Sequence, residues 1–433
     1  MKNRPLKNSK KILFIHHGSI PGGSPTSLAN TIIGLQRFSD FEIKILCCHD
    51  SMKAFFKEKT GLDPGDIYSP FLILGRVMIG CASIFNLKTL YLLVREIVSL
   101  PISFYRQALT LRSESPAIVH LNSSILLITA ICVKLLRLPL VWHVREVIVG
   151  GKFNVRKRLT GWIIRTLADR VITISPVEAA SLGKDRKGNV QVVYNFIDFG
   201  HFDPALINLS ETKKKFGVDQ DDHVVLSLGG ASFRKGAYQI LCASKEINRK
   251  CKILLAGPPL KRKDRNKGTR LLIRLFLKIE QFLCTSRLKS YYSWFYEDRL
   301  QNEIKSISDD RIRFIGQIDD VVPLIAISDI LVFAGTTPHF PRPVYEAWAM
   351  KKPVVIFDVE GVSPNISEGY DGVIVRNHTG TALAQKLNEI LGNKSLLQQF
   401  GENGYRKAKD RFDIDKNIFE IITTYQKILD QIC

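Results

Sequence analysis

Three stretches of this 433-residue chain carry side chains whose types and spacing could do chemistry. The first, Phe333–Asp358, reads FAGTTPHFPRPVYEAWAMKKPVVIFD. Its pattern is a strand end, a Pro-rich loop, a helix start and a buried strand. Pro343 suits a first helical turn, where its missing N–H costs nothing. Glu346 is expected in that turn, near the positive end of the helix dipole. A loop that opens into a helix N-terminus is also a ready site for an anion such as phosphate. Read alone, Glu346 is no more than a favourable acid near a helix start. The second stretch is Gly229-Gly230-Ala231-Ser232-Phe233-Arg234-Lys235-Gly236, between a strand and a helix. A Lys beside a Gly-rich loop can neutralise a diphosphate while backbone N–H groups approach it. It is not a Walker loop, because the spacing differs and no Ser or Thr follows Lys235. The plainer alternative is a solvated basic turn.

The third stretch is VWHVRE, which places His143 at a strand end with Arg145 and Glu146 just beyond it. In a doubly wound sheet the strand C-termini face the ligand crevice, so His143 is expected at a site. Arg145 and Glu146 either pair with each other or bind phosphate and hydroxyl groups of a ligand. His16, His17, Asn122, Ser123 and Ser175 occupy other strand ends; they line the same crevice or cap helices. Gly22 and Gly23 either let a ligand approach the backbone or form a plain turn.

The elements that must position these residues alternate strand and helix. Lys11–Ile15 is a first strand, followed by a loop and the helix pattern Leu28–Leu35, a Rossmann-type opening without GxGxxG. Further strands are read at Glu42–Cys47, Ala117–Leu121, Leu140–Val144, Arg170–Ile174 and Val190–Tyr194. Residues 66–112 read as mostly helical, with aromatic and basic side chains mixed. A second series begins near His201, with strands at Val224–Leu228, Lys252–Ala256, Arg311–Ile315, Ile330–Phe333 and a run ending at Phe357. The last helix is about Lys416–Ile432. Such β/α alternation makes doubly wound α/β domains.

A chain of this length is too long for one ordinary core, so two domains are expected. The net charge of +21 points to an anionic partner: a nucleotide, a membrane surface, an anionic glycan or nucleic acid. Nucleic acid ranks low, because no RNA- or DNA-binding motif accompanies the charge. Eight cysteines without a CxxC pair fit a reduced, cytoplasmic chain. No apolar run is long enough to span a bilayer. The irregular segment from Pro258 to about Arg299 is basic, apolar and aromatic. It is either an interfacial helix on the inner face of a membrane or an ordinary amphipathic surface helix. Asp319-Asp320 and Asp309-Asp310 are read as caps or turns, not as a metal-binding DxD pair.

The order of these motifs resembles the retaining glycosyltransferases of family four, which have the GT-B fold. The match is carried by Glu346, Ala347, Ala349, Lys352 and Pro353, by Lys235-Gly236, by the strand-end His143 and by Asn195 in VVYNFID. The chain departs from the family at Pro338, where a first glutamate is usual, at Gly230, where an Arg is usual, and at Phe196, where a Gly is usual.

The resemblance implies two Rossmann-like doubly wound domains facing a central cleft. The first, 1–200, would bind the acceptor and the second, 201–410, the nucleotide sugar, with 411–433 a helix packing back on the first. The implied reaction transfers a sugar, with retention, to a glycan or lipid-linked acceptor hydroxyl in cell-surface polysaccharide or lipopolysaccharide synthesis. No metal or other cofactor is implied. Glu346 would hold the ribose, and His143, Lys235 and Glu346 would form the catalytic set. Gly22, Gly23, Gly229, Gly230, Arg234, His339, Arg342, Pro343 and Val344 would complete the donor site. His16, Asn122, Ser123, His143 and Arg145 would meet the acceptor. The alternatives are an inactive nucleotide-sugar-binding protein of the same fold, to which Pro338 and Gly230 point, and a sugar-nucleotide epimerase.

Overall fold

The computed structural model describes residues 10–20, 22–67, 72–78, 87–148, 154–258, 300, 302–304, 306–307, 311–336 and 341–431. Pro338, His339, Asp309-Asp310 and the basic segment beyond Pro258 therefore lie outside the described residues. The chain forms two compact units, Met1–Asp198 with Asp410–Cys433, and Phe199–Lys409.

The first unit is built on strands β1 (Lys11–His16), β2 (Glu42–Cys47), β3 (Gly65–Asp66), β4 (Ile118–Leu121), β5 (Leu140–Val144), β6 (Arg170–Thr173) and β7 (Val190–Val192). They pair in parallel in the order β3-β2-β1-β4-β5-β6-β7. The apolar run of β1 supplies both faces of this sheet, because successive side chains point to opposite sides. Leu13 and Ile15 enter one core with Val119, Leu121, Trp142 and Val171. Ile12 and Phe14 enter the other with Ile45, Ile118, Val141 and Ile172.

The second core is closed by two helices. α1 (Gly23–Phe38) brings Leu28, Ala29, Ile32 and Leu35. The C-terminal helix Ile414–Asp430 brings Ile418, Ile421, Ile422, Tyr425 and Ile428, an i, i+3, i+4, i+7 stripe. Asp413 caps that helix by accepting the Asp415 N–H at 3.1 Å. Residues 66–112, read as mixed helix, resolve into α3 (Leu72–Met78), α4 (Leu87–Val98) and α5 (Leu100–Glu114), after α2 (Lys53–Thr60). α6 (Leu127–Leu135), α7 (Val155–Leu167) and α8 (Pro176–Ser181) complete the described helices of this unit before the C-terminal one.

The second unit repeats the plan with β8 (His223–Ser227), β9 (Cys251–Ala256), β10 (Ile312–Gly316), β11 (Ile330–Phe333), β12 (Val354–Phe357) and β13 (Gly372–Val375). The order is β10-β9-β8-β11-β12-β13, again parallel. β12 is buried throughout, as a strand covered on both faces should be. Its helices include α9 (Leu209–Lys215), α10 (Ala237–Ser244), α11 (Val322–Ile327), α12 (Arg342–Ala349), α13 (Gly380–Leu391) and α14 (Lys394–Arg411). β13, α13 and α14 were not foreseen from the sequence. Glu346 is the fifth residue of α12 and so opens its second turn, one turn later than expected. The helix begins at Arg342, because Pro341, its N-cap, has φ −87° and ψ 66°, outside the helical region.

In both sheets the chain starts at a central strand, walks outward, and returns to the other side. The order therefore reverses between β1 and β4, and again between β8 and β11. Loops leaving the carboxyl ends of these strand pairs diverge and leave a crevice.

The C-terminal helix fits α1 closely. A Cβ on Gly34 would lie 2.8 Å from Ile418 Cγ1. Gly34→Val is therefore expected to overpack this contact and cost about 1–3 kcal/mol. A lowered urea midpoint checks this; an unchanged midpoint would show that the helix sits loosely.

Candidate functional site

The reversal point of the first sheet carries a buried polar network. His16 ends β1, Asn122, Ser123 and Ser124 follow β4, and Arg145 and Glu146 follow β5. Arg145 is the hub. Its Nε donates to Asn122 Oδ1 at 2.6 Å, its Nη1 to Asn195 Oδ1 at 2.6 Å, and its Nη2 to His143 Nδ1 at 3.3 Å. Arg145 and Glu146 do not pair. Glu146 accepts instead from Ser123 Oγ at 2.6 Å and from Ser124 Oγ at 2.9 Å.

A guanidinium only donates, and this fixes the sense of every bond around it. Asn122 turns its oxygen to Arg145, so its Nδ2 donates to His16 Nδ1 at 3.3 Å and to Ser24 Oγ at 3.3 Å. His143 Nδ1 likewise accepts. His120 Nε2, 3.2 Å away, must then be the donor to it. The remaining nitrogen, His120 Nδ1, accepts from the Tyr425 hydroxyl at 2.6 Å. All three imidazoles are thereby held neutral, with the proton on Nε2.

Two of those Nε2–H groups, on His16 and His143, are buried and have no hydrogen-bond partner among the described residues. A Cβ on Gly18 would sit 2.5 Å from His16 Nε2, so only glycine leaves that nitrogen uncrowded. Buried orphan donors are costly unless a ligand completes them. Burial, and after it the Arg145 guanidinium, holds His120 and His143 well below the ordinary imidazole range. Burial, then His17 and Arg145, lowers His16 to about 3. His143 is thus a neutral hydrogen-bond donor rather than a base.

Gly22 and Gly23 stand at the start of α1, and a Cβ on either would meet nothing within 4 Å. The protein's own packing does not require glycine there. Ser175 is an N-cap, accepting from Val177 N at 3.1 Å and donating to Glu178. His120 and Tyr425 were missed in the sequence. A histidine inside the apolar run AIVHL was the one available signal; nothing marked a tyrosine about 300 residues later.

At the reversal point of the second sheet the two donor-type motifs meet. A Cβ on Gly236 would lie 2.1 Å from Ala334 O, and Thr336 N donates to Arg234 O at 3.1 Å. The loop after β8 is thus tied to the loop after β11. Gly230 has φ 54°, and a Cβ there would lie 2.5 Å from Pro258 O. The crowding explains the departure from the family's arginine: this backbone has no room for a side chain. Arg234 is exposed. Lys235 Nζ lies 5.1 Å from the Phe333 ring centroid, and burial, then Arg234, lowers Lys235 to about 8.

On α12, Glu346 is buried and accepts from Arg342 Nε at 2.6 Å. Pro343 has no N–H, and the Val344 N–H donates to Pro341 O at 2.9 Å. Of the three backbone groups expected to meet an anion here, those two are therefore not available.

Two doubly wound parallel sheets, each with a polar cluster where its strand order reverses, define the GT-B architecture. HepE of Anabaena, solved in complex with UDP and glucose, superposes over 96% of this chain and 99% of its own with TM-score 0.72 and 18% identity. Residues 21–201 match the model for Glycosyltransferase Family 4 and residues 209–407 that for Glycosyl transferases group 1, and the chain belongs to the family-four glycosyltransferases.

Among its relatives is the N,N'-diacetylbacillosaminyl-diphospho-undecaprenol alpha-1,3-N-acetylgalactosaminyltransferase of Campylobacter jejuni. It is 29% identical over 129 residues, 30% of this chain and 33% of the relative. The N-acetyl-alpha-D-glucosaminyl L-malate synthase of Bacillus anthracis is 22% identical over 254 residues, 58% of this chain and 57% of the relative. The chain thus spans about a third to three fifths of the length of these relatives.

Neutral buried imidazoles make the fold acid-sensitive. His16 takes up a proton in the unfolded chain near 6.5 but in the fold only near 3. Between those values the unfolded state binds more protons, so stability is intact above about 6.5 and is lost as pH falls. At pH 5 this one group costs about 2 kcal/mol. His16→Gln should reduce the slope of unfolding free energy against pH, measured by urea titration, by about 1.4 kcal/mol per pH unit. An unchanged slope would show that His16 protonates within the fold.

Proposed function

We propose that this protein is a retaining glycosyltransferase that moves a sugar from a nucleotide-sugar donor to a hydroxyl of a glycan or lipid-linked acceptor. The observation that carries the reading is the meeting of Lys235 and its glycine-rich loop with the loop that leads into α12 and Glu346, at the reversal point of the second sheet. A partly desolvated ammonium beside a loop of small residues suits a diphosphate. A buried carboxylate held by Arg342 suits the two adjacent hydroxyls of a ribose.

In the reaction the bond between the anomeric carbon and the diphosphate oxygen breaks. A new bond forms to the acceptor oxygen on the same face of the sugar, and the acceptor's proton leaves with the diphosphate. Lys235 and Arg234 stabilise the charge that develops on that leaving group, the contribution that usually dominates such steps. His143 does not take the proton, because its Nδ1 is already occupied. It offers Nε2–H to a sugar or acceptor hydroxyl, as His16 does, with Asn122, Ser123 and Arg145 holding the acceptor side. The lipid-linked acceptor is favoured by the Campylobacter jejuni relative, whose name specifies a diphospho-undecaprenol substrate. A place in cell-surface polysaccharide or lipopolysaccharide synthesis is favoured by the lipopolysaccharide core biosynthesis glycosyltransferase LpsE of Rhizobium meliloti, 26% identical over 133 residues. Gly230 and Pro338, at positions where the family carries charge, favour the second reading, a protein that binds a nucleotide sugar without turning it over.

A thermal-shift screen against UDP-, GDP-, ADP- and CMP-linked sugars identifies the donor, since a tight ligand stabilises the fold by mass action. With that donor, Glu346→Gln should lower kcat/KM for transfer or hydrolysis by about 100-fold. Donor binding with no turnover by the unaltered protein would establish the inactive reading instead.

Lys235 gives a pH signature. Its charged form binds the diphosphate, and its pKa is lowered to about 8. Affinity for the nucleoside diphosphate should therefore hold below about pH 8 and weaken as pH rises further. Lys235→Met should bind more weakly and lose this pH dependence, read by calorimetry from pH 7 to 9. A wild-type affinity that stays flat across that range removes Lys235 from the phosphate site.

A further inference from the structure

The helices α4 and α5 are inside out. On α4 the buried side chain is the charged one, Glu96, 2% exposed and accepting from Leu74 N at 3.0 Å. Leu90, Tyr91, Val94, Ile97 and Val98 face solvent, Val98 at 73% and Tyr91 at 66%. On α5 the buried face includes Ser103 and Gln107, which hydrogen-bond to each other at 3.0 Å. The exposed face carries Ile102, Tyr105 and Leu109. Positions 91, 94, 98, 102, 105 and 109 follow one another at helical spacing, so a single apolar stripe runs from α4 through Ser99 into α5. A water-facing helix ordinarily shows the opposite pattern. Contiguous exposed apolar surface of this kind marks an interaction site.

The charges around the stripe name the partner. Arg95, Arg106 and Arg112 are exposed. The acids of these two helices are both occupied: Glu96 is buried, and Glu114 pairs with Lys44 at 2.6 Å. The neighbouring α7, which packs on α3 as α4 does, adds exposed Trp162, Leu159 and Arg158 and has no acid. An apolar stripe with tyrosines near both ends and a wholly basic flank matches an interfacial helix lying in the headgroup layer of an anionic bilayer. No described helix is long and apolar enough to cross a membrane, which leaves docking in the plane. We propose that the α4–α5 face seats this protein on an anionic lipid surface. The basic segment that suggested a membrane in the sequence plays no part in this argument.

The test is flotation of the full chain with vesicles. The protein should float with mixed phosphatidylglycerol and phosphatidylcholine vesicles at low salt, less at high salt, and far less with phosphatidylcholine alone. The combined variant Val94→Ser, Ile102→Ser, Tyr105→Ser should lose at least tenfold in vesicle partition. Phe419→Ser, which removes an exposed apolar group elsewhere, should lose nothing. Retained circular dichroism and donor thermal shift would show that the variant is folded, and separate failure of this proposal from failure of the transferase reading. Flotation that survives the triple substitution would overturn the proposal. So would a dimer in light scattering that dissolves in the same variant, since the face would then belong to a second copy of the chain.

Discussion

A parallel sheet that starts at its middle strand must reverse its order once, and at that place adjacent strand ends are left uncovered by the connections on either side. The constraint operates twice in this chain. In the first sheet it exposes the ends of β1 and β4, and the residues found there are His16 and Asn122. In the second it exposes the ends of β8 and β11, which lead into the loop containing Lys235 and the loop that precedes α12. Both polar clusters are thus consequences of strand order. The sheets themselves are apolar on both faces and leave little alternative register, because a slip of one residue would exchange the two cores that Leu13 and Phe14 separately fill.

The two clusters use a partly buried cation in different ways. Arg145 stays charged at any working pH, and each of its three nitrogens donates to an acceptor. Its contribution is directional: it orients Asn122, and through Asn122 and His143 it settles which nitrogen of three imidazoles carries the proton. Removing it would leave those rings free to reverse, with the orphan donors of His16 and His143 becoming acceptors. Lys235 is held close to its own titration by burial, with the Phe333 ring face beside it. A lysine in that state gains most from an arriving anion, since the anion restores the charge that burial opposes. One unit therefore holds buried hydrogen-bond donors without a partner among the described residues, and the other a partly buried cation near its titration.

Most sheet strands were legible, β3 and β13 excepted, because a strand covered on both faces must be apolar throughout, and such runs as KILFI and PVVIF are hard to mistake. Residues at the ends of those runs were legible for the same reason, which brought out His16, Asn122 and His143 as candidates, while the glycine-rich loop marked Lys235. Partnerships were not legible. Arg145 and Glu146 are adjacent, yet they point to different neighbours because successive side chains diverge along an extended segment. The Tyr425 to His120 bond joins a terminal helix to a strand formed about 300 residues earlier, and no local pattern anticipates it. Glu346 was placed one turn early because the boundary was set from Pro343 alone, whereas the neighbouring Pro341 starts the helix at Arg342.

The same limit explains why α4 and α5 read as ordinary helices. A 3.6-residue period shows that one face is apolar but not which face meets the core. The answer depends on what the rest of the unit offers. The core next to α5 is already filled by α6 and the sheet, with Leu111, Phe104 and Ala108 the apolar side chains α5 contributes to it. Glu96 is accepted inward only because the Leu74 N–H is there to meet it. A helix pair that turns a hydrogen-bonded acid and a Ser–Gln pair inward leaves tyrosine, isoleucine and valine in water, apolar surface whose burial would be favourable. An apolar phase over the outer face would supply that burial. The exposed arginines beside it would favour a phase whose surface is anionic.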